Sequence, residues 1–176
     1  MTLEYTLKYA LKSNELSQIH SAFEKIYLTY GKLIYLKIMQ YINNISDAEE
    51  LTQDVFVQFY NHLPKTPIDN IKYYLLTSAK NIAIDFLKRK KVEIIYDEAI
   101  LNEELCECSP SLKYNELIDK MRLHLNDLEI DLILKHNLDN VTFKELSSIY
   151  NKPLNTILSI YHRALKKIRK SGDTYE

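Results

Sequence analysis

Residues 46–91 contain two amphipathic helical patterns separated by a short loop. In the first pattern Ala48, Val55 and other apolar residues recur at steps of three and four, which is the spacing of one buried helix face. The second pattern, from residue 71 to residue 86, has the same spacing. Pro64 and Pro67 lie between the two patterns and stop a helix from running through. The region therefore predicts two helices joined by a short, rigid loop.

The composition of the chain extends this expectation to the whole fold. Only two glycines and four prolines occur among 176 residues, whereas helix-forming Leu, Lys and Glu are abundant. An apolar content of 46% is sufficient for real hydrophobic cores. We expect an all-α protein. No apolar stretch long enough to cross a membrane and no signal-peptide segment is present, so we expect a cytoplasmic protein without membrane insertion.

The distribution of charge divides the chain into three parts. Residues 1–91 predict a four-helix N-terminal domain that ends in the basic run 88–91. Residues 92–111 contain six acidic residues and no basic residue, and they close with the sequence Ser-Pro-Ser. This composition is typical of an acidic linker. Residues 112–176 predict a second, helical domain.

Helix-capping patterns mark where the helices begin. Ser46 and Glu49 form the S-x-x-E pattern of a capping box, and Asp69 or Asn70 is a suitable N-cap for the next helix. That next helix is expected to expose a mixed aromatic and basic face that begins at Tyr73 and leads into the basic run.

The C-terminal part predicts a helix-turn-helix. Asn126 is a suitable N-cap for a helix over residues 127–136, and Thr142 with Glu145 forms a second capping box. A short helix follows Thr142, residues 151–153 (Asn-Lys-Pro) make a turn, and a longer basic helix then runs to about residue 170. Two helices around a tight turn, with the second longer and basic, are typical of this DNA-binding motif.

Both ends of the chain resemble one protein family. Residues 48–56 (AEELTQDVF) have an acidic pair followed by L-x-Q-x-V-F, and residues 143–147 (FKELS) and 155–165 carry the second motif. The first region also contains the following set: Tyr74, Leu75, Ala79, Asn81 and Asp85. These motifs are similar to those of bacterial RNA polymerase sigma factors of the sigma-70 family, in the two-domain extracytoplasmic-function group. Tyr74 stands where the family commonly has Trp.

The resemblance implies a promoter-melting, sigma-2-like domain over residues 1–91 and a sigma-4-like helix-turn-helix domain over residues 112–176. It further implies binding to core RNA polymerase and to the −10 and −35 elements of promoter DNA, with an anti-sigma factor as a further partner. One helix is then the polymerase-binding face, with these residues: Glu49, Glu50, Leu51, Gln53, Asp54, Phe56 and Val57.

The resemblance and the basic faces together give two sets of DNA-binding residues. For the −10 element they are Leu63, Lys65, Thr66, Asp69, Asn70, Tyr73, Lys80, Asn81, Lys88, Arg89, Lys90 and Lys91. For the −35 element they are Lys152, Asn155, Thr156, Ser159, Arg163, Lys166, Lys167 and Lys170. Leu158 and Ile160 stand where family members usually carry basic residues, so we expect the upstream element to be read weakly or differently here.

Two other classes of function stay open from the residues alone. One is a stand-alone helix-turn-helix transcription regulator, and the other is a sigma-like decoy that occupies polymerase without initiating. The net charge of −1 favours dependence on a partner, because autonomous DNA-binding domains are usually strongly basic.

An enzyme is not expected, because no catalytic constellation, phosphate-binding loop or metal-ligand spacing occurs. We expect no cofactor, no metal and no small-molecule substrate, and we interpret Cys106 and Cys108 as free thiols.

Overall fold

The computed structural model describes residues 2–13, 15–63, 68–97 and 112–170, with residues 91–97 described by their backbone alone. These residues form eight helices and no strand, which confirms the all-α prediction. The chain divides into two compact units, Met1–Ser111 and Leu112–Glu176. Most of the predicted acidic linker, including Cys106 and Cys108, lies outside the described residues.

Four helices make up the N-terminal unit: α1 (Leu3–Ser13), α2 (Leu16–Met39), α3 (Ile45–His62) and α4 (Ile71–Asp97). Helix α2 packs against the other three helices, and α3 also packs against α4. Buried side chains from all four helices form the core, and the largest that are fully buried are Ile26, Ile34, Ile38, Met39, Val55, Phe59, Ile71, Leu75 and Leu76. The core is therefore built from the apolar faces that the helical periodicity defines.

Helix α3 begins one residue before the predicted capping box. Its N-cap is Asn44, whose side-chain oxygen accepts a hydrogen bond from the backbone N–H of Asp47 at 3.1 Å. The prediction of Ser46 as the cap was wrong. Asn caps a helix as well as Ser does, and the helix already begins at Ile45, directly after Asn44. Ser46 lies inside the first turn.

Helix α4 begins where predicted and ends later. Asn70 precedes the helix and accepts a hydrogen bond from the backbone N–H of Tyr73 at 2.9 Å, as an N-cap does. The helix then continues to Asp97, six residues beyond the predicted end of the first domain at Lys91. No glycine or proline occurs between the basic run and Asp97, so nothing in the local sequence stops the helix there.

The C-terminal unit contains α5 (Leu112–Arg122), α6 (Asp127–Asn137), α7 (Phe143–Ile149) and α8 (Leu154–Lys170). Both predicted N-caps are confirmed: Asn126 forms a capping box with Glu129, and Thr142 forms one with Glu145. Helices α7 and α8 both pack onto buried residues of α6, through the side chains of Leu132, Leu146 and Ile157. The α7–turn–α8 arrangement thus rests on α6.

Candidate protein- and nucleic-acid-binding surfaces

The outward face of α3 carries most of the predicted polymerase-binding residues. Glu49, Glu50, Gln53, Asp54 and Val57 are all exposed, and Val57 is an apolar side chain with 57% of its surface accessible. Their spacing places acidic, amide and apolar groups side by side on one helix. This mixture is suited to binding another protein, since an apolar contact there is surrounded by charged groups.

Two residues predicted for the same surface are instead in the core. Leu51 and Phe56 are each 3% exposed. The ring of Phe56 contacts Tyr27 with centroids 4.9 Å apart and Phe23 with centroids 6.2 Å apart. Phe56 lies beside the predicted buried stripe of α3, but α2 covers that side of the helix too. The helical periodicity places Leu51 on the buried stripe, and the family motif alone places both residues on the binding face. The structure buries both, so their prediction as direct contacts was wrong.

A groove of about 450 Å³ lies between α2 and α3, next to the exposed face of α3. Its walls are Tyr27, Leu28, Gly31, Lys32, Tyr35, Glu49, Thr52 and Gln53. Glu49 and Gln53 therefore belong both to the predicted polymerase-binding face and to the groove. The sequence interpretation missed the contribution of α2. One signal was available, because a glycine inside a strongly helical pattern often marks a close approach by another group.

Tyr35 is one of the polar residues on the α2 side of this groove. Its hydroxyl oxygen is buried and has no hydrogen-bond partner among the described residues. Burial and then the negative charge of Glu49 raise the pKa of Tyr35 above its ordinary value. A buried hydroxyl without a partner costs free energy.

The exposed face of α4 matches the predicted −10 surface in part. Tyr73, with 58% of its surface accessible, shares one side of the helix with Lys80 and Lys88. The neighbouring Tyr74 is half-buried, and its ring contacts Phe59 with centroids 5.7 Å apart. The helix therefore presents one tyrosine outward and uses the next one for packing.

The other predicted −10 residues fall into three groups. Asp69, Asn70, Asn81 and Arg89 are exposed, as are Lys80, Lys88 and Lys90. Leu63 is only 5% exposed, so its prediction as a DNA contact was wrong; it ends α3 and is buried in the helical core. Lys65, Thr66 and the side chain of Lys91 lie outside the described residues.

The basic run at residues 88–91 does not form a single patch. Successive residues of a helix point about 100° apart. Lys88 lies 3.6 Å from Asp85 on its own helix, whereas Lys90 turns toward α3 and lies 3.4 Å from Asp47. The cation of Lys90 thus connects the end of the α4 basic run to the start of the α3 acidic face.

Helix α8 exposes a polar and basic face opposite its buried side. All eight predicted −35 residues are exposed: Lys152, Asn155, Thr156, Ser159, Arg163, Lys166, Lys167 and Lys170. The core side of the helix holds Ile157, Tyr161 and Ala164. His162 and Arg169 are exposed too, and helical geometry places them beside Asn155 and Lys166. The sequence interpretation omitted both, although the same periodicity identifies them.

Lys167 differs from its neighbours because it is held by an ion pair within the protein. Its ammonium lies 2.6 and 2.8 Å from the two carboxylate oxygens of Glu129, whose side chain is 7% exposed. Burial raises the pKa of Glu129, but hydrogen bonds from Lys167 and from the backbone of Asn126, with the charges of Lys167 and Arg163, lower it overall. The role of Lys167 as a DNA contact stays a prediction; in this structure its cation neutralises a buried carboxylate.

A second polar cluster attaches the turn between α7 and α8 to α6. Asp131 accepts hydrogen bonds from the hydroxyl of Tyr150 and from Lys135. Tyr150 is the C-cap of α7, and Asn151 follows it with a left-handed backbone φ of 49°. Asparagine tolerates this conformation better than most residues, which allows the tight turn. Ile160, one of the two departures from the family, packs against the core of this unit.

Two classes of feature are absent from the described part of the chain. Within those residues no group of three or more His, Cys, Asp or Glu side chains is arranged to hold a metal ion. None of the eight helices there is both long and apolar enough to span a membrane.

Comparison with known proteins shows which family the chain resembles. Residues 26–92 match Sigma-70 region 2, and this range contains the α2–α3 groove and the exposed faces of α3 and α4. The chain is similar to ECF RNA polymerase sigma factor SigW of Bacillus subtilis, with 24% identity over 85% of this chain and 88% of that protein. It is also similar to the ferric citrate uptake sigma factor FecI of Escherichia coli, with 23% identity over 82% of this chain and 87% of that protein.

These matches extend over both units. A third relative, ECF RNA polymerase sigma factor SigM of Bacillus subtilis, is 22% identical over 83% of this chain and 92% of that protein. The chain is therefore similar to extracytoplasmic-function sigma factors of the sigma-70 family over most of its length. All three of these relatives are sigma factors.

Proposed function

We propose that this protein is a dissociable sigma factor that binds core RNA polymerase, recognises the −10 and −35 elements of promoters and enables the melting of promoter DNA. The observation that carries the proposal is the separation of three exposed polar faces, on α3, α4 and α8, from the buried faces of the same helices. The chain itself performs no chemistry in this scheme, because RNA synthesis belongs to the polymerase.

The α3 face and the adjoining groove are the proposed polymerase-binding surface. Glu49, Gln53 and Asp54 supply negative charge and hydrogen-bonding groups, while Val57 and the exposed Leu28 supply apolar contact. Phe56 contributes indirectly, because its ring packs α3 against Tyr27 of α2. A preformed surface of this kind binds without a large ordering cost.

The α4 face is the proposed site for single-stranded −10 DNA. Tyr73 offers an exposed ring on which an unpaired base can stack, and Lys80 and Lys88 on the same side can contact phosphates. Capturing an unstacked base offsets part of the free energy needed to separate the strands. The proposed N-terminal domain is residues 1–91, followed by an acidic linker at 92–111.

The α8 face is the proposed reader of the −35 element, in a domain of residues 112–176. Asn155 and Ser159, near the start of the helix, are placed for base edges in the major groove, whereas Lys166 and Lys170 are placed for phosphates. In this structure the hydroxyl of Ser159 donates a hydrogen bond to the backbone carbonyl of Asn155 at 2.8 Å. Ser159 therefore has to reorient its hydroxyl to bind a base.

We further propose that the protein acts in the cytoplasm and that an anti-sigma factor is among its partners. Support for both comes from the similarity to extracytoplasmic-function sigma factors. The exposed α3 and α8 faces are available for such a partner.

Transcription from a library of random DNA fragments tests the proposal. Purified core polymerase is supplied with and without this protein, and the 5′ ends of the RNA products are sequenced. We expect new, discrete start sites only when the protein is present, with a shared motif in the DNA upstream of them. Binding to polymerase without new start sites would favour the decoy, and tight sequence-specific duplex binding without polymerase would favour the stand-alone regulator.

A further inference from the structure

Leu158 is a departure from the family pattern that the buried clusters of the C-terminal unit do not account for. It stands where members of the family usually carry a basic residue. Ile160, the other such departure, packs against the cluster of Leu132, Leu146 and Ile157. Leu158 is half-buried, and among the described residues it lies outside both buried clusters of this unit. Core packing therefore explains the isoleucine but not the leucine.

A second apolar side chain lies one turn before Leu158. Leu154 is the first residue of α8, and 42% of its surface is accessible. Residues four apart on a helix lie within about 40° of each other, so Leu154 and Leu158 form one leucine ridge. Helical geometry places this ridge between the buried side of α8 and the polar face that begins with Asn155 and Ser159. The ridge is thus next to the residues proposed to read base edges.

The major groove of DNA offers one apolar group to such a ridge. Guanine, cytosine and adenine present only hydrogen-bond donors and acceptors there, whereas thymine adds a C5-methyl group. A leucine cannot bond to the polar groups of the other bases, and it displaces their water without replacing the hydrogen bonds. Contact with a methyl group instead buries apolar surface on both partners. The leucine ridge is therefore suited to thymine.

We propose that Leu154 and Leu158 read thymine in the upstream promoter element through contact with its methyl group. The start of a recognition helix is the part that contacts base edges in a helix-turn-helix. The two leucines are about 6 Å apart along the helix axis, and successive base pairs are about 3.4 Å apart. The element accordingly carries thymines at two positions within about two base pairs of each other. This inference rests on the proposed function and specifies what α8 reads.

The basic residues of α8 complement the leucine ridge. Arg163, Lys166 and Lys170 are exposed on the polar face, and they supply an attraction to phosphates that carries no sequence information. The ridge supplies discrimination between bases instead of general affinity. A basic residue at position 158 would read guanine through its donors, whereas Leu158 has none. The departure from the family pattern thus moves the preferred base from guanine toward thymine.

Removal of the methyl group from the DNA tests the proposal with the unmodified protein. The upstream element is first selected with the complex of this protein and core polymerase. Each thymine of the element is then replaced in turn by deoxyuridine, which pairs as thymine does but lacks the methyl group. Competition between the two DNAs for the complex measures the effect. Thymines between the two promoter elements, replaced in the same way, are the control.

We expect deoxyuridine to weaken binding by about three- to fourfold at each of two positions, which is the factor for burying one methyl-sized group. Leu154→Ala should abolish this effect at one position and Leu158→Ala at the other. Each variant is compared with itself on the two DNAs, so a lower folded fraction does not imitate the loss. Leu123→Ala should keep both effects, since Leu123 is a 76%-exposed leucine of the same unit outside α8.

Restoring the family's basic residue gives a second readout. Leu158→Arg should change the preferred base at one position of the selected element from thymine to guanine, because a guanidinium can donate to both major-groove acceptors of guanine. An unchanged base preference in this variant would contradict the place assigned to Leu158.

The outcomes separate this inference from the proposed function. A selected upstream element without thymine, or equal binding to thymine and deoxyuridine at every position, would overturn the inference alone. A methyl effect that persists in both alanine variants, with weaker binding to all promoters, would also overturn it and make the ridge a contact with polymerase. Absence of any selected motif and of new start sites would overturn the proposed function itself.

Discussion

Lys167 places its ammonium within 2.6 and 2.8 Å of the two carboxylate oxygens of Glu129. The same carboxylate accepts a hydrogen bond from the backbone N–H of Asn126 at 3.0 Å, so Glu129 caps α6 and pairs with α8 at once. A single buried side chain therefore connects the start of the supporting helix to the last turns of the proposed recognition helix.

Removing Lys167 is expected to destabilise the C-terminal unit. In Lys167→Met the carboxylate of Glu129 stays buried without its cation. We expect the free energy of unfolding to fall by about 2 kcal/mol. This figure is lower than for a fully buried pair, because half of the Lys167 side chain is in water. Hydrogen exchange of α8 amides in the full chain measures this loss, since a chain of two compact units need not unfold in one step. Lys166→Met on the exposed neighbour is the control and should change exchange little.

The pH dependence of the same exchange gives a second readout of this pair. The pKa of Glu129 is lower in the folded protein than its ordinary value of 4.5. The ionised carboxylate therefore stabilises the fold fully above about pH 4.5, and this contribution is lost as the pH falls through the folded-state pKa. Lys167→Met should lose most of this pH dependence. An unchanged profile in that variant would contradict the assigned role.

The exposed face of α3 gives a prediction about polymerase binding. The double variant Gln53→Ala, Asp54→Lys changes only exposed side chains and should fold normally. We expect its affinity for core polymerase to fall by about tenfold or more, because it removes an amide and reverses a charge at the proposed interface. Fluorescence anisotropy with labelled protein measures the affinity. Full affinity in this folded variant would exclude the α3 face as the binding surface.

Phe56 and Leu51 are unsuitable for that experiment. Truncating a buried Phe to Ala costs about 3–5 kcal/mol of stability, so Phe56→Ala would lose binding by unfolding. The sequence placed both residues on the binding face because the family motif contains them. The periodicity of α3 already indicated that Leu51 is buried. The burial of Phe56 depends on its contacts with Phe23 and Tyr27 of α2, and the contact of one helix with another is not visible in the periodicity of a single helix.

Several other differences between the predicted and the observed features have the same origin, which is contact between residues distant in sequence. Helical periodicity was sufficient for the all-α fold and for the exposed face of α8, because both depend on local sequence. The burial of Leu63, the pairing of Lys167 with Glu129 and the groove beside Gly31 all depend on residues distant in sequence. Glu129 is 38 residues from Lys167, and no local pattern connects them.

Tyr73 gives a prediction about promoter melting. Tyr73→Ala should leave polymerase binding unchanged and reduce melting, because it removes the exposed ring proposed to stack on an unpaired base. Permanganate reactivity of promoter thymines measures the strand separation. Tyr9→Ala is the control, since Tyr9 is a similarly exposed tyrosine on α1. Asn70 is less suitable for substitution, because its side chain caps α4.

The α8 face predicts two different responses to mutation. Asn155→Ala should change the preferred base at one or two positions of the upstream element, whereas Lys166→Ala should weaken binding to all sequences similarly and reduce the salt dependence. Selection of preferred −35 sequences by the polymerase complex of each variant distinguishes the two. Equal effects on all sequences from Asn155→Ala would show that this residue contacts no base.

Permanganate reactivity on a promoter recovered from the library transcription tests the central claim most directly. The same DNA is probed with core polymerase alone, with this protein alone and with both together. We predict reactive thymines around the −10 element only when both are present, because strand capture needs the α4 face held on the polymerase. Reactivity with polymerase alone at the same level, or no reactivity with both, would contradict the assignment of this chain as the factor that opens promoters.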